Sequence, residues 1–159
     1  MDENLAESRL AAWRAFLNAH AAVIGLIERE MTEAGQLPLS SYDVLVALSQ
    51  ASQKRLRMHE LADRVVLSRS GLTRLVDRLE VEGLLTRERC GTDKRGAYAV
   101  LTQKGREALR EAWPAYARGI SEHFASILTD PEVELLTGIL RRVSAAARPA
   151  PSMPRDTGD

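Results

Sequence analysis

In the stretch LSRSGLTRLVDRLE, Leu67 to Glu80, apolar positions recur at helical spacing. Leu72, Leu75, Val76 and Leu79 stand at i, i+3, i+4 and i+7, one stripe of an α-helix. Arg69, Ser70, Thr73, Arg74, Asp77 and Arg78 fill its other side. A longer stripe, Trp13, Leu17, His20, Ile24, Ile27 and Met31, predicts a helix from Leu5 to Glu33 with only Gly25 as a weak spot. A third, Leu109, Trp113, Tyr116, Ile120, Phe124 and Ile127, predicts a helix from Gln103 to about Leu128, capped by Thr102 and bent at Pro114. TDPEVELLTGILRRV predicts a last helix with Asp130 as cap and Pro131 at its first position.

The segments between are shorter. Ser40 and Asp43 fit a capping box, and Leu39 and Val44 a hydrophobic staple, for a helix ending near Gln50. QASQKRLR is a polar link with a short extended piece. MHELADRV predicts a short helix with Leu61, Ala62 and Val65 inward, poorly capped because Arg57 holds its N-cap position. VLS is a tight turn in which Ser68 caps the helix of Leu67 to Glu80, and Gly83 suits that helix's C′ position. LLTRER and AYAVL predict two strands, joined by CGTDKRG into a hairpin with a basic tip. The tail AAARPAPSMPRDTGD is Pro-rich, has little to bury, and is expected to be disordered.

The fold class that follows is mainly α with a small β-hairpin wing, a winged helix-turn-helix plus long dimerisation helices. Residues 1–36 and 103–146 are expected to make a helical dimerisation region, 37–102 a winged helix-turn-helix domain, and 147–159 the tail. The long stripes carry more apolar surface than one small winged domain can cover, so a two-fold homodimer is expected.

Charge sharpens this picture. The chain is formally neutral, yet Lys54 to Arg106 holds thirteen Lys and Arg against seven Asp and Glu, a net of +6. Met1 to Gln53 is −4 and Glu107 to Asp159 is −2. A basic middle between acidic ends is the footprint of contact with a polyanion, although a charge run alone also suits a solvated face. The single cysteine, Cys90, excludes an intramolecular disulfide and a multi-cysteine zinc site, and suits a reducing compartment. The start MDENLAESRLAAWRAFL lacks a basic segment followed by an apolar one, and no unbroken apolar run reaches the ~18–20 residues of a bilayer span, so a cytoplasmic protein is expected.

Helix, turn, helix and a basic-tipped hairpin together place the second helix in the major groove of double-stranded DNA. Ser68, Arg69, Ser70, Thr73 and Arg74 lie on its leading end and outer face. Short hydroxyls let the backbone approach phosphates, and Arg can pair bidentately with guanine.

RMHELADRVVLSRSGLTRLVDRLEVEGLLTRERCGTDKRGAYAVLTQKG resembles the MarR family of bacterial transcription regulators. The combination of LSRSGLTRLVDRLE, the wing DKR and LTQKG carries the likeness, which extends from about Leu5 to Val143 with the flanking helices. It implies an obligate homodimer that binds a pseudo-palindromic operator, as a repressor, and is released by a small ligand or an oxidant. The family's wing Asp-x-Arg falls on Asp93 and Arg95, separated by Lys94. Arg95 would enter the minor groove, and Asp93 would orient a neighbouring Arg, with Arg78 the candidate. Cys90 stands where a Pro is common in relatives.

Several residues carry two readings. Trp13 and His20 share one stripe and are either core or the wall of a pocket for an aromatic or anionic effector, with Asp43 near the same junction. Cys90, beside Arg89, is either an incidental thiol or a redox sensor. Arg64, Arg87 and Arg89 read as phosphate contacts or plain surface. The three histidines, His20, His59 and His123, are scattered, and no catalytic set, metal-spaced motif or Gly-rich phosphate loop points to an enzyme or a cofactor. The reading from another class is a winged-helix module that docks only on protein.

Overall fold

The computed structural model describes residues 6–65, 69–89 and 97–147, with the backbone only of Arg69 and Arg89. The elements run α1 (Glu7–Glu33), α2 (Leu39–Gln50), β1 (Arg55–Arg57), α3 (Met58–Ala62), α4 (Arg69–Val81), β2 (Leu85–Arg89), β3 (Ala97–Leu101), α5 (Gln103–His123) and α6 (Asp130–Ala147). The expected hairpin is present, and β1 joins it to give an antiparallel sheet in the order β1-β3-β2. Arg57 pairs with Tyr98, and on the other side of β3 Glu88 pairs with the same residue.

One closed core holds the winged part together. Val44, Leu45 and Leu48 of α2 meet Leu61 of α3, Leu72, Val76 and Leu79 of α4, and Leu85, Ala99 and Leu101 of the sheet. The apolar stripe of α4 therefore points wholly inward: Leu72, Leu75, Val76 and Leu79 are all buried. Gly83 ends the helix in the left-handed region at φ 72°. Its N–H reaches the carbonyl of Glu80, and that of Leu84 the carbonyl of Leu79, a paired C-terminal cap that turns the chain into β2.

A second cluster joins the winged part to the long helices: Ile27 and Met31 of α1, Leu39 and Tyr42 of α2, and Ala112 of α5. The inner face of α5 is not the expected aromatic stripe. Its buried residues are Gly105, Ala112, Ala115 and Gly119, whereas Trp113, Phe124 and Ile127 are exposed. Small side chains let α1 approach closely; a Cβ at Gly119 would lie 3.0 Å from Ile27 Cγ1. α5 also stops at His123, where Phe124 leaves helical geometry at φ −137°, short of the expected Leu128.

Three helix starts differ from expectation. α2 begins at Leu39 on Pro38, without the capping box of Ser40 and Asp43. The cap comes instead from another helix, where Glu28 Oε2 accepts the Leu39 N–H at 3.0 Å. α3 is held by Glu60, whose carboxylate accepts the Arg57 N–H at 2.8 Å, so a Ser or Thr cap is dispensable. At α6 the cap is Thr129 rather than Asp130, with Glu132 accepting both its N–H (2.8 Å) and its hydroxyl (2.7 Å). Thr102 caps α5 as expected, accepting the Gly105 N–H at 3.0 Å.

The terminal helices leave apolar surface uncovered. α6 has no buried residue, and Leu135 and Val143 are 65% and 59% exposed. Only the C-terminal half of the α1 stripe is inside: Ile27 and Met31 are buried, while Trp13 and Leu17 are 54% and 43% exposed. Against expectation, α1 is long and apolar enough by length and composition to cross a membrane, with a mean hydropathy of 1.4 over its most apolar window. Alanines scattered among polar residues produce that value without an unbroken apolar run. Ala145 to Ala147, expected at the start of the disordered tail, instead form the end of α6, and the rest of the tail, from 148 on, lies outside the described residues.

Candidate nucleic-acid interface

The outward face of α4 is set by its inward one. With the leucine stripe buried, Ser70, Thr73, Arg74, Asp77 and Arg78 are exposed together. Their charges are not equivalent. Arg78 donates to the hydroxyl of buried Ser41 at 3.0 Å and lies 3.8 Å from Glu82, so it ties α4 to the start of α2. Arg74 differs: among the described residues its guanidinium forms no hydrogen bond or ion pair. It is a solvated cation projecting from the face that the helix presents.

The root of the wing is fixed to this helix by Arg87. Its guanidinium meets Asp77 at 2.6 Å and Glu80 at 2.8 Å, and its backbone N–H donates to the other Glu80 oxygen at 2.9 Å. Burial alone would lower the Arg87 pKa, but the hydrogen bonds to Asp77 and Glu80 outweigh it and raise the value. Arg87 is thus a clamp, not a loose phosphate contact, and it also neutralises the two acids of α4 nearest the wing. On the opposite edge of the sheet, Arg55 stacks 4.0 Å over the Tyr98 ring and pairs with Glu88 at 3.2 Å. Arg57 Nε donates to the Tyr98 hydroxyl at 3.1 Å. These contacts hold β1 against β3 and stiffen the wing from its second side.

Ser68, Asp93, Lys94 and Arg95, with Cys90 and the side chains of Arg69 and Arg89, lie outside the described residues. The described part accordingly supplies the helix and the root of the wing. Arg87 was the functional residue least visible in the sequence. The one hint was an Arg at the strand position facing Asp77 and Glu80, acids one turn apart on the preceding helix.

The effector candidates do not converge. Trp13 and His20 sit with Phe16 on the exposed face of α1, the Trp13 and Phe16 rings 6.0 Å apart and those of Phe16 and His20 6.3 Å apart. Asp43 is elsewhere, beside Tyr42 and Tyr116. Partial burial and then the Glu28 carboxylate hold its pKa above the usual carboxylate range. Its charge in turn helps raise both phenols, after burial as the larger cause. Next to it, α2 and α5 flank an open groove of about 500 Å³ lined by Tyr42, Val46, Leu109, Arg110, Trp113 and Tyr116. The Tyr42 and Tyr116 rings are 4.7 Å apart. Neither Trp13 nor His20 lines it. The sequence hid this groove because its aromatic residues looked like a core stripe.

Comparison with known proteins agrees with this layout. The MarR family profile matches residues 36–96. The HTH-type transcriptional regulator MhqR of Bacillus subtilis is 35% identical over 91 residues, 57% of this chain and 62% of its own length, so the match spans under two-thirds of that relative. The HTH-type regulator YkoM of Bacillus subtilis is 30% identical over 135 residues, covering 85% of this chain and 86% of its own. The solved structure of Sco3205, a MarR family regulator from Streptomyces coelicolor in complex with DNA, is 31% identical with a TM-score of 0.84, covering 94% of each chain. AbsC, from the same organism, is 30% identical with a TM-score of 0.79, covering 91% of this chain and 97% of its own. With a recognition helix seated on a closed core and braced to a wing, the chain belongs to the MarR family of DNA-binding transcriptional regulators.

Proposed function

We propose that the protein is a cytoplasmic homodimeric repressor that reads a pseudo-palindromic operator through α4 and the wing. The observation that carries this is Arg74, which pairs with none of the described residues, on the exposed face of a helix whose other face is buried. Ser68, Arg69, Ser70 and Thr73 accompany Arg74 in the major groove, and Arg78, Asp93, Lys94 and Arg95 complete the contact along the flank and wing. Two copies joined through the uncovered faces of α1 and α6 present two such helices about one helical turn apart.

Release is by an aromatic or anionic small molecule. The α2–α5 groove supports this better than Trp13 and His20 do. It offers two adjoining phenols tilted at 59° to each other, the Trp113 ring and the Arg110 cation, and its volume lies in the range of ligand pockets. It also touches both the winged part and the long helices, so a ligand there can change the spacing of the heads. A coupling of about 1.4 kcal/mol gives a tenfold loss of operator affinity.

Operator binding is tested by selecting duplexes from the organism's own DNA and measuring their affinity at several salt concentrations. The expected result is a steep loss of affinity with salt, as counterions are released from phosphates. Arg74→Ala costs a further 1–3 kcal/mol or so on the selected site. No salt-dependent binding to any duplex would favour a module that docks on protein.

A further inference from the structure

We propose that Glu30, Glu122 and His123 bind one divalent first-row metal ion, zinc(II) in the first place, at the seam of α1 and α5. The fold brings together groups that the sequence keeps apart: His123 Nε2 lies 2.6 Å from Glu30 Oε1 across 93 residues. One donor atom from each of the three side chains falls within 4.8 Å of the others.

The second oxygen of Glu30 makes the case more than an ion pair. Glu30 Oε2 is buried and has no hydrogen-bond partner among the described residues. The close packing of α5 accounts for its burial, since a Cβ on Gly119 would lie only 3.4 Å from it. A buried carboxylate oxygen without a partner is costly. His123 answers only the other oxygen, and carries a charge to offset it only when protonated. A divalent cation offsets the charge of both carboxylates and uses the imidazole in its neutral form.

The donor set selects the ion. One imidazole and two carboxylates leave a fourth position for water, the three-ligand pattern of zinc sites with an open position. Magnesium and calcium prefer oxygen-only shells. Ligand atoms around tetrahedral zinc lie roughly 3.3 Å apart at metal distances of ~2.0–2.1 Å, so the Glu30–His123 pair need open only slightly. The terminal torsion of a carboxylate is broad, which lets Glu30 present either oxygen, and the exposed Glu122 can swing in.

The test uses the full chain without a purification tag, stripped with chelator and titrated with zinc(II) and cobalt(II). One zinc ion per chain is expected at micromolar affinity or better, with the visible absorption of tetrahedral cobalt. At zinc concentrations about 100 times Kd the thermal midpoint rises by roughly 5 °C. Glu122→Gln, at an exposed site, and His123→Gln, whose amide keeps a hydrogen bond to Glu30, each weaken binding at least about tenfold with unchanged far-ultraviolet circular dichroism. No binding at about 100 µM zinc, or equal binding by both variants, overturns the assignment; equal binding would place the metal elsewhere.

Discussion

The winged part and the terminal helices solve the same problem in opposite ways. In the winged part, α2, α3, α4 and the sheet bury their apolar stripes against one another, and Val44, Leu45, Leu48 and Leu79 have no exposed surface. In α6 every apolar position stays at least partly exposed, and the front half of α1 does the same with Trp13, Phe16 and Leu17. The first region is complete within one chain, whereas the second leaves apolar faces that the proposed homodimer would cover. Under the proposed homodimer, such a regulator would keep its reading heads rigid and leave their spacing to be set by how two chains meet.

The sharpest test of this contrast is the winged core. Leu45→Ala should cost about 2–5 kcal/mol in denaturant unfolding. Next is the uncovered face. Leu135→Glu with Val143→Glu should leave helical content intact, give a monomer in light scattering, and lower operator affinity about a hundredfold or more, ~2.7 kcal/mol. Unchanged dimers in that variant would break the comparison. Smaller still is the clamp between helix and wing. Arg87→Met should cost about 1–2 kcal/mol of stability, a figure kept low because Asp77 is more than half exposed. It should also weaken DNA binding by loosening the wing.

The smallest effect lies at the junction between the two regions. Folding raises the Asp43 pKa through partial burial and Glu28. The folded state therefore holds that proton more tightly than the unfolded chain. The resulting stability is present below the ordinary carboxylate pKa and is lost as pH rises through the folded value. Asp43→Asn should abolish this dependence and raise stability near neutral pH by less than about 1 kcal/mol, measured by thermal unfolding from pH 3 to 7.

Elements defined by local chemistry were legible in the sequence. The α4 stripe, the Gly83 turn, the Thr102 cap and both hairpin strands depend on residues a few positions apart. What was not legible depends on contacts between distant segments. Ser40 looked like a cap because Glu28, which does the capping from α1, is invisible to a local pattern. The face of α5 was misjudged for a related reason. Trp113 and Phe124 have the spacing of a core stripe, but the neighbouring helix needs the small residues Ala112, Ala115 and Gly119. In the interface, the exposed polar face of α4 followed from its period, whereas the pairing of Arg87 with Asp77 and Glu80 required the wing to fold back on the helix.

The central claim is that two winged heads, joined through the uncovered helices, read DNA together. The most direct measurement compares the selected operator with one carrying an insert of about five base pairs, half a helical turn, between its half-sites. Two chains should bind the parent duplex as a unit, and the insert should reduce affinity about a hundredfold, because it rotates one half-site to the opposite side of the DNA. Equal affinity for the two duplexes, or one chain bound per parent duplex, would contradict the account.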